Sequence, residues 1–185
     1  MTDSSGASLK RGEVELRPVK QMSVADWQRF HRYFRDREIA KLNGASPILL
    51  PLWLFKRVVL GEDKSGERIG YAIYVAQSFV GSVEFYDLNE PPRQAVLGIL
   101  IGEKTLWGKG YGAVAVNLAL GLMFEGHKFE RVTLQTLDHN ARARGSFERV
   151  GFQLTGFADA GKQRFAHYQI TRAQWLALNK ARSQP

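Results

Sequence analysis

The segment Trp107-Gly108-Lys109-Gly110-Tyr111-Gly112-Ala113 carries the residue types that bind a diphosphate. Closely spaced glycines let backbone N–H groups approach an anion, because no side chain stands in the way. An apolar helix is expected over residues 113–124, and its N-terminus adds partial positive charge at the same place. Lys109 adds a full charge at the rim. We therefore predict a pyrophosphate site here, with a tight turn that uses glycine only for packing as the alternative.

Two other phosphate-binding motifs fit this segment less well. A Walker A loop needs Ser or Thr after its Gly-Lys pair, and here Gly110 follows Lys109. The dinucleotide fingerprint Gly-x-Gly-x-x-Ala is present from Gly108 to Ala113. That fingerprint opens the first β-α unit of a parallel fold, whereas this segment follows about four predicted strands joined by short turns. Nicotinamide binding is therefore disfavoured.

A second motif follows one predicted helix and one predicted strand later. It has the pattern Asn-x-x-(Ser/Ala)-x-x-x-(Tyr/Phe)-x-(Lys/Arg)-x-Gly-Phe, filled by Asn140, Ala143, Phe147, Arg149, Gly151 and Phe152. Together with the glycine-rich loop, this motif resembles the GNAT acetyltransferases, and among them the ribosomal-protein alanine and spermidine N-acetyltransferase branch. The resemblance covers roughly residues 69–170, and the order and separation of the two motifs make it specific.

The resemblance implies acetyl-CoA as the acetyl donor and an amine as the acceptor. Backbone around residues 100–102 would pair with the pantetheine arm, and a backbone N–H there would stabilise the developing oxyanion. Asn140 would hydrogen-bond the cofactor arm, and Phe147 would lie beside the thiol. For Asn140 a helix N-cap and for Phe147 core packing are the alternative interpretations. The implied cofactor-binding residues are Leu100, Ile101, Gly102, Trp107, Gly108, Lys109, Gly110, Tyr111, Gly112, Ala113, Asn140 and Phe147.

The catalytic groups are less clearly marked than the cofactor loop. Phe147 stands where many relatives have a tyrosine that protonates the departing thiolate. A thiolate whose thiol has a pKa of about 8.5 is an adequate leaving group near neutral pH, so the reaction does not require this acid. Glu84 is the first choice for the general base, because it lies on the polar face of a strand beside the presumed cofactor strand. An ordinary solvated or salt-bridged carboxylate is the alternative for Glu84, and Glu103, Asp87 and Asp36 are the reserves.

The predicted strands and helices indicate an α+β fold, and the resemblance implies that this fold is of the GNAT type. Its sheet is mixed and mainly antiparallel, with about seven strands, and about four helices flank it. Ser23 and Asp26 form a capping-box pattern before the first helix, and the segment from Glu62 to Gly66 is predicted as a turn. Another turn is predicted at residues 89–92. Residues 1–10 are predicted to be a flexible tail, and residues 11–185 a single acetyltransferase domain.

Composition narrows the choice of function. The chain has no cysteine, which excludes disulfides, thiolate metal sites and cysteine nucleophiles, and its four histidines lack metal-ligand spacing. The longest apolar run, residues 113–124, is too short to cross a bilayer, and the N-terminus lacks a secretory signal, so we expect a cytoplasmic protein without membrane contact. A formal charge of +8 is compatible with an anionic cofactor.

Two other function classes stay open beside the enzyme. A noncatalytic GNAT-like module that binds acetyl-CoA fits the phenylalanine at position 147 and the uncertain base. A nucleic-acid-binding protein is disfavoured, because no basic stripe interleaved with aromatic residues is visible. The amine acceptor is either a protein N-terminus or a small molecule, and a homodimer is an open arrangement.

Overall fold

A computed structural model describes residues 8–89 and 93–183 of the chain. The strands are β1 (Leu9–Arg11), β2 (Val14–Pro18), β3 (Ile69–Val75), β4 (Ser78–Asn89), β5 (Gln94–Ile101), β6 (Arg131–Leu137), β7 (Gln153–Ala160) and β8 (Gln163–Thr171). The α-helices are α1 (Val24–Arg35), α2 (Arg37–Leu42), α3 (Leu52–Ser65), α4 (Tyr111–Gly121), α5 (Ala141–Val150) and α6 (Arg172–Ser183). A mixed, mainly antiparallel sheet is therefore confirmed, with eight strands where about seven were predicted.

The sheet has the strand order β1-β2-β3-β4-β5-β6-β8-β7. Its one parallel pair among the described strands is β5 with β6, and this pair extends only from Gln94–Arg131 to Val96–Thr133. Beyond Val96 the two strands continue to Ile101 and Leu137 without pairing to each other. A wedge therefore opens between them, and the backbone groups that face the wedge from β5 lack a neighbouring strand.

Both faces of the sheet are buried, which explains why the central strands are almost continuously apolar. Side chains alternate across a strand, and in β3 the residues Tyr71 and Ile73 join a core with α4 and α5, whereas Ala72 and Tyr74 join a core with α1 and α3. Leu100 on β5 belongs to the second core. The wedge between β5 and β6 is therefore bordered by helices on both sides.

The sequence predicted about four helices, whereas the described residues form six α-helices, three of them before β3. The capping box of Ser23 and Asp26 is present at the start of α1. Asp36 then takes an extended conformation and caps a separate helix, α2, by accepting from the N–H groups of Glu38 and Ile39. The helix α3 continues to Ser65, so the turn predicted from Glu62 to Gly66 is wrong except at its last residue. The buried side chains of α3, Phe55 and Val59, hold the helix in place, and its polar last turn follows them at the surface.

The sheet begins earlier than the sequence predicted. Leu9 to Arg11 pair with β2 in an antiparallel ladder, although Leu9 and Lys10 were assigned to the N-terminal tail. This strand has three residues, too few for alternating hydrophobicity to show. The rest of the predicted tail, residues 1–7, and residues 90–92 of the predicted turn lie outside the described residues. Within the described ranges, no helix is both long and apolar enough to cross a membrane.

Candidate active site

The N-terminus of α4 is open to an anion. Gly110 is its N-cap, with φ 87°, and no side chain caps the helix. The first backbone bond of the helix runs from the N–H of Val114 to the carbonyl of Gly110 at 3.2 Å. The N–H groups of Tyr111, Gly112 and Ala113 therefore precede any acceptor within the helix. Unpaired N–H groups and the positive end of the helix dipole together favour a bound phosphate.

A cleft extends from this helix terminus along the wedge side of β5. We call it the cofactor cleft, and its described lining includes no carboxylate, whereas Arg142 and Arg149 supply two positive charges. The guanidinium of Arg142 lies 3.9 Å above the ring centre of Trp107. The cleft therefore has the charge and the backbone donors that a diphosphate requires. Its lining consists of Ile39, Leu42, Asn43, Ile99, Leu100, Ile101, Leu106, Trp107, Gly108, Gly110, Tyr111, Gly112, Val116, Asn140, Arg142, Ala143, Ser146, Phe147 and Arg149.

The backbone of β5 presents alternate residues to the wedge. The N–H of Gly102 donates to the carbonyl of Val80 at 2.8 Å, so Gly102 directs its amide towards β4. Backbone groups of successive residues in a strand point to opposite sides, and Ile99 and Ile101 therefore face the wedge. The carbonyl of Ile101 accepts the indole N–H of Trp107 at 2.7 Å. An extended cofactor arm would thus meet the backbone of Ile99 and Ile101.

Nine of the twelve predicted cofactor residues line the cofactor cleft. The other three are Gly102, Lys109 and Ala113. Gly102 has its amide bonded to Val80, and the backbone N–H of Lys109 is bonded to the carbonyl of Leu106 at 3.4 Å. Ala113 packs against the core instead, although its amide belongs to the open first turn of α4. That these three residues bind the cofactor stays a prediction. The side chain of Lys109 is exposed, as a positive charge at the rim of the cleft requires.

Asn140 and Phe147 border the cleft from α5 in ways that fit both interpretations of each residue. The side-chain oxygen of Asn140 accepts from the N–H of Ala143 at 3.2 Å, so Asn140 is the N-cap of α5. Its side-chain nitrogen donates to the carbonyl of Leu42 at 3.3 Å, which connects α2 to α5 and leaves a second proton for a ligand. Phe147 is buried among aromatic rings and also lines the cleft.

Substitutions of Asn140 distinguish the contribution of its capping hydrogen bond from that of its hydrogen bond to Leu42. We expect Asn140→Ala to lower the free energy of unfolding by about 1 kcal/mol, because the helix loses its cap. Asn140→Ser keeps a capping oxygen and removes the donor to Leu42 without placing an acceptor against that carbonyl, so it should keep most of that stability. Urea denaturation of both variants measures the difference. Equal losses in the two variants would contradict a capping role.

A second cavity adjoins the cofactor cleft on the other side of the wedge. We call it the acceptor cavity, and it shares Leu100, Asn140 and Phe147 with the cofactor cleft. Its lining includes one carboxylate among the described residues, that of Glu84. The two cavities therefore meet where β5 has separated from β6. The acceptor cavity is lined by Phe34, Leu42, Asn43, Ser82, Glu84, Tyr86, Leu97, Gly98, Ile99, Leu100, Gln135, Thr136, Leu137, Asn140, Ala143, Phe147 and Phe165.

Glu84 lies directly across from Gly98 in the β4–β5 ladder. A Cβ atom at position 98 would lie only 3.1 Å from Oε1 of Glu84, so the glycine allows the carboxylate to rest against the backbone of β5. The Glu84 side chain is 24% exposed, and its Oε2 lies 2.8 Å from Nη1 of Arg68. Leu100 is two residues beyond Gly98, about 7 Å along the strand. Glu84 therefore lines the acceptor cavity two residues along β5 from Leu100, where the two cavities meet.

Burial raises the pKa of Glu84, and this effect outweighs the opposing influence of the Arg68 guanidinium. A carboxylate whose pKa is raised is a stronger base than an exposed one and suits proton abstraction near neutral pH.

The three reserve carboxylates lie outside the lining of the acceptor cavity. Asp36 caps α2 and pairs with Lys104, Glu103 accepts from the side chain and backbone of Thr105, and Asp87 is exposed at the surface.

Sequence reasoning missed two groups of residues at the site. The first is α2, whose Ile39 and Leu42 line the cofactor cleft. The second is a stripe on α5 formed by Arg142, Ser146 and Arg149, which face the cleft because residues three and four apart share one side of a helix. The i, i+4, i+7 spacing of these three polar residues was visible in the sequence, and it could have marked the side of α5 that faces a charged ligand.

Comparison with known proteins identifies the family of the chain. A family model described as the acetyltransferase (GNAT) domain matches residues 13–153. The chain belongs to the GNAT acetyltransferase family. The predicted resemblance is confirmed, and so is acetyl-CoA as the acetyl donor. This GNAT protein is thus an acetyl-CoA-dependent N-acetyltransferase, with an amine as its acceptor.

Relatives of this GNAT protein are distant in sequence and similar in fold. An N-acetyltransferase 9-like protein of Caenorhabditis elegans is 22% identical over 176 residues, which cover 86% of this chain and 85% of the relative. The structure of spermidine N-acetyltransferase from Vibrio cholerae, in complex with CoA and spermine, superimposes with a TM-score of 0.78 at 20% identity, covering 89% of this chain and 98% of that one. A putative acetyltransferase from T. thermophilus gives a TM-score of 0.74 at 21% identity, covering 96% of this chain and 97% of that one.

Proposed function

We propose that this GNAT protein transfers the acetyl group by direct attack of a primary amine on acetyl-CoA, with both substrates bound together. The amine belongs to a protein N-terminus or to a small molecule. The observation that carries the proposal is the junction of the cofactor cleft and the acceptor cavity at Leu100, with Glu84 on the acceptor side. Holding both reactants at one junction makes the reaction effectively unimolecular.

Each step has a group of this chain to support it. Glu84 removes a proton from the ammonium, and the freed nitrogen lone pair attacks the thioester carbonyl to form the C–N bond. The N–H of Ile99 or Ile101, which faces the wedge, donates to the oxyanion. The attacking nitrogen then releases its second proton to water and the C–S bond breaks. The thiolate, whose conjugate thiol has a pKa of about 8.5, leaves and takes a proton from water. No covalent enzyme intermediate forms in this sequence of steps.

The experiment measures binding and turnover separately. We expect calorimetry to detect acetyl-CoA binding and a thiol reagent to detect free CoA in the presence of alanine amide, short peptides or other primary amines. The chain has no cysteine, so the thiol reagent reports only the product. Binding without thiol release across the amine panel would overturn the proposal and support a noncatalytic acetyl-CoA-binding module.

A further inference from the structure

Two carboxylates share the guanidinium of Arg68. Its Nη1 lies 2.8 Å from Oε2 of Glu84, and its Nη2 lies 2.8 Å from Oε2 of Glu62. Glu62 belongs to the last turn of α3, Arg68 to the connection that follows, and Glu84 to β4. The side chains of Glu62, Arg68 and Glu84 are 35%, 23% and 24% exposed, so solvent screens their charges only in part. We call these three residues the charge cluster.

Backbone geometry fixes the charge cluster in place. The helix α3 ends at Gly66, which has φ 77°, and the N–H of Arg68 then donates to the carbonyl of Glu62 at 3.3 Å. Gly70 lies directly across from Glu84 in the β3–β4 ladder. A Cβ atom at position 70 would lie 3.9 Å from Cδ of Arg68, so the arginine side chain passes the glycine on its way to Glu84. Glu62 therefore acts on the acceptor cavity through Arg68, since it is outside the described lining of both cavities.

The charges of the cluster do not cancel. Two carboxylates and one guanidinium leave one negative charge, whereas Glu84 and Arg68 alone would be neutral together. Burial raises the pKa of Glu84, Arg68 opposes this effect, and the negative charge of Glu62 adds to it. Tyr86 is the other titratable residue in the described lining of the acceptor cavity, and burial raises its pKa, so it stays uncharged near neutral pH. Glu62 therefore offsets the influence of Arg68 on the base.

We propose that Glu62 is a positioning residue for the reaction, because it holds the guanidinium of Arg68 between two carboxylates and so fixes Glu84 at the acceptor cavity without neutralising it. This inference rests on the proposed function, in which Glu84 takes a proton from the ammonium, and it adds to that mechanism a residue outside both cavities. An arginine that served Glu84 alone would make the carboxylate a weaker base. With Glu62 present, the base has a defined position and one negative charge remains for the ammonium of the acceptor.

Glu62→Gln tests this role, because it removes the charge and keeps the shape of the side chain. Arg68 then serves Glu84 alone, and the pKa of Glu84 should fall. With the fastest amine of the thiol-release panel at saturation, the single-turnover rate should be about threefold higher on the acidic limb of the pH profile. The same rate should be lower on the plateau at high pH, because a weaker base takes a proton less readily. A rate that is unchanged, or lower at every pH, would overturn the inference.

A matched control removes the same charge from a neighbouring residue. Glu67 precedes Arg68 in the chain and is exposed, so Glu67→Gln should move the pH profile less than Glu62→Gln does. Thermal unfolding of both variants checks that the fold is kept. A movement of the profile in Glu67→Gln as large as that in Glu62→Gln would mean that net charge, and not the contact with Arg68, acts on the base.

Carbon-13 NMR of protein labelled at the glutamate carboxyl groups tests the inference without turnover. The signal of Glu84 is assigned by its loss in Glu84→Gln, and its titration midpoint should move to lower pH in Glu62→Gln. If the midpoint moves in this way but the rate does not follow it, Glu84 is not the base, and the proposed mechanism fails while the charge cluster stands. An unmoved midpoint would overturn the inference even if the rate of acetyl transfer depends on Glu84.

Discussion

Gly112→Glu is expected to weaken acetyl-CoA binding by about 100-fold or more while leaving the protein folded. Gly112 lies in the first turn of α4 and lines the cofactor cleft. A Cβ atom there would contact Ile101 and Ile99 at ordinary distances of 3.7 and 3.8 Å, so a longer side chain projects into the cleft. A carboxylate about 4 Å from a phosphate, at an effective dielectric constant near 20, opposes binding by roughly 4 kcal/mol before solvent screening reduces it.

The fold should tolerate this substitution, because glutamate stabilises a helix more than glycine does and an acidic residue is favourable near a helix N-terminus. Calorimetry with acetyl-CoA measures the loss, and thermal unfolding without cofactor checks the fold. Gly112→Ala is the matched control, since it adds the Cβ without the charge, and it should bind within a few-fold of the wild type. Wild-type affinity in the glutamate variant would mean that the diphosphate lies elsewhere.

Glu84→Gln is expected to lower kcat by about 100-fold or more, with a smaller effect on acetyl-CoA binding. The amide keeps the shape of the side chain across from Gly98 but cannot accept the proton of the ammonium. Single-turnover measurements with saturating amine isolate the chemical step from product release. Glu130 lies just before β6 and pairs with Arg172, and Glu130→Gln is a control that should keep wild-type kcat. An unchanged kcat in Glu84→Gln would remove Glu84 from the mechanism.

The pH dependence of the rate gives a second signature of Glu84. Burial raises its pKa, and the base acts only when deprotonated, so kcat should rise with pH through a value above the usual range of a glutamate. Arg68 opposes this shift, because its positive charge favours the carboxylate. Arg68→Gln should therefore raise the pKa of Glu84 further and move the acidic limb of the profile to higher pH. A limb that moves to lower pH would contradict this electrostatic assignment.

The cofactor half of the site could be predicted from local sequence. The glycines from Gly108 to Gly112 and the motif that starts at Asn140 depend on backbone conformation and spacing within short segments. Such features are properties of the sequence itself, and the structure gives Gly110 the positive φ of 87° that a residue with a side chain rarely adopts. Gly151, the glycine of the second motif, likewise ends α5 with φ 120°.

The acceptor half of the site could not be predicted from local sequence, because it depends on tertiary structure. That Glu84 rests against Gly98 follows from the register of β4 and β5, and the sequence does not fix this register residue by residue. The separate helix α2 was missed because it has six residues, too few for a clear 3.6-residue period. The two cavities meet because β5 and β6 stop pairing after Val96. This separation of the strands depends on how the helices pack against the sheet. Local propensities carry no signal for this separation.

The central claim is that the backbone N–H groups at the start of α4 hold the diphosphate of acetyl-CoA. Amide NMR of labelled protein during titration with CoA tests it most directly, because hydrogen bonding to a phosphate moves an amide proton strongly downfield. We expect the largest shifts at Tyr111, Gly112 and Ala113, whose amides precede any acceptor within α4, and these shifts should saturate with the dissociation constant measured by calorimetry. Unshifted amides at these residues in protein saturated with CoA would contradict the claim.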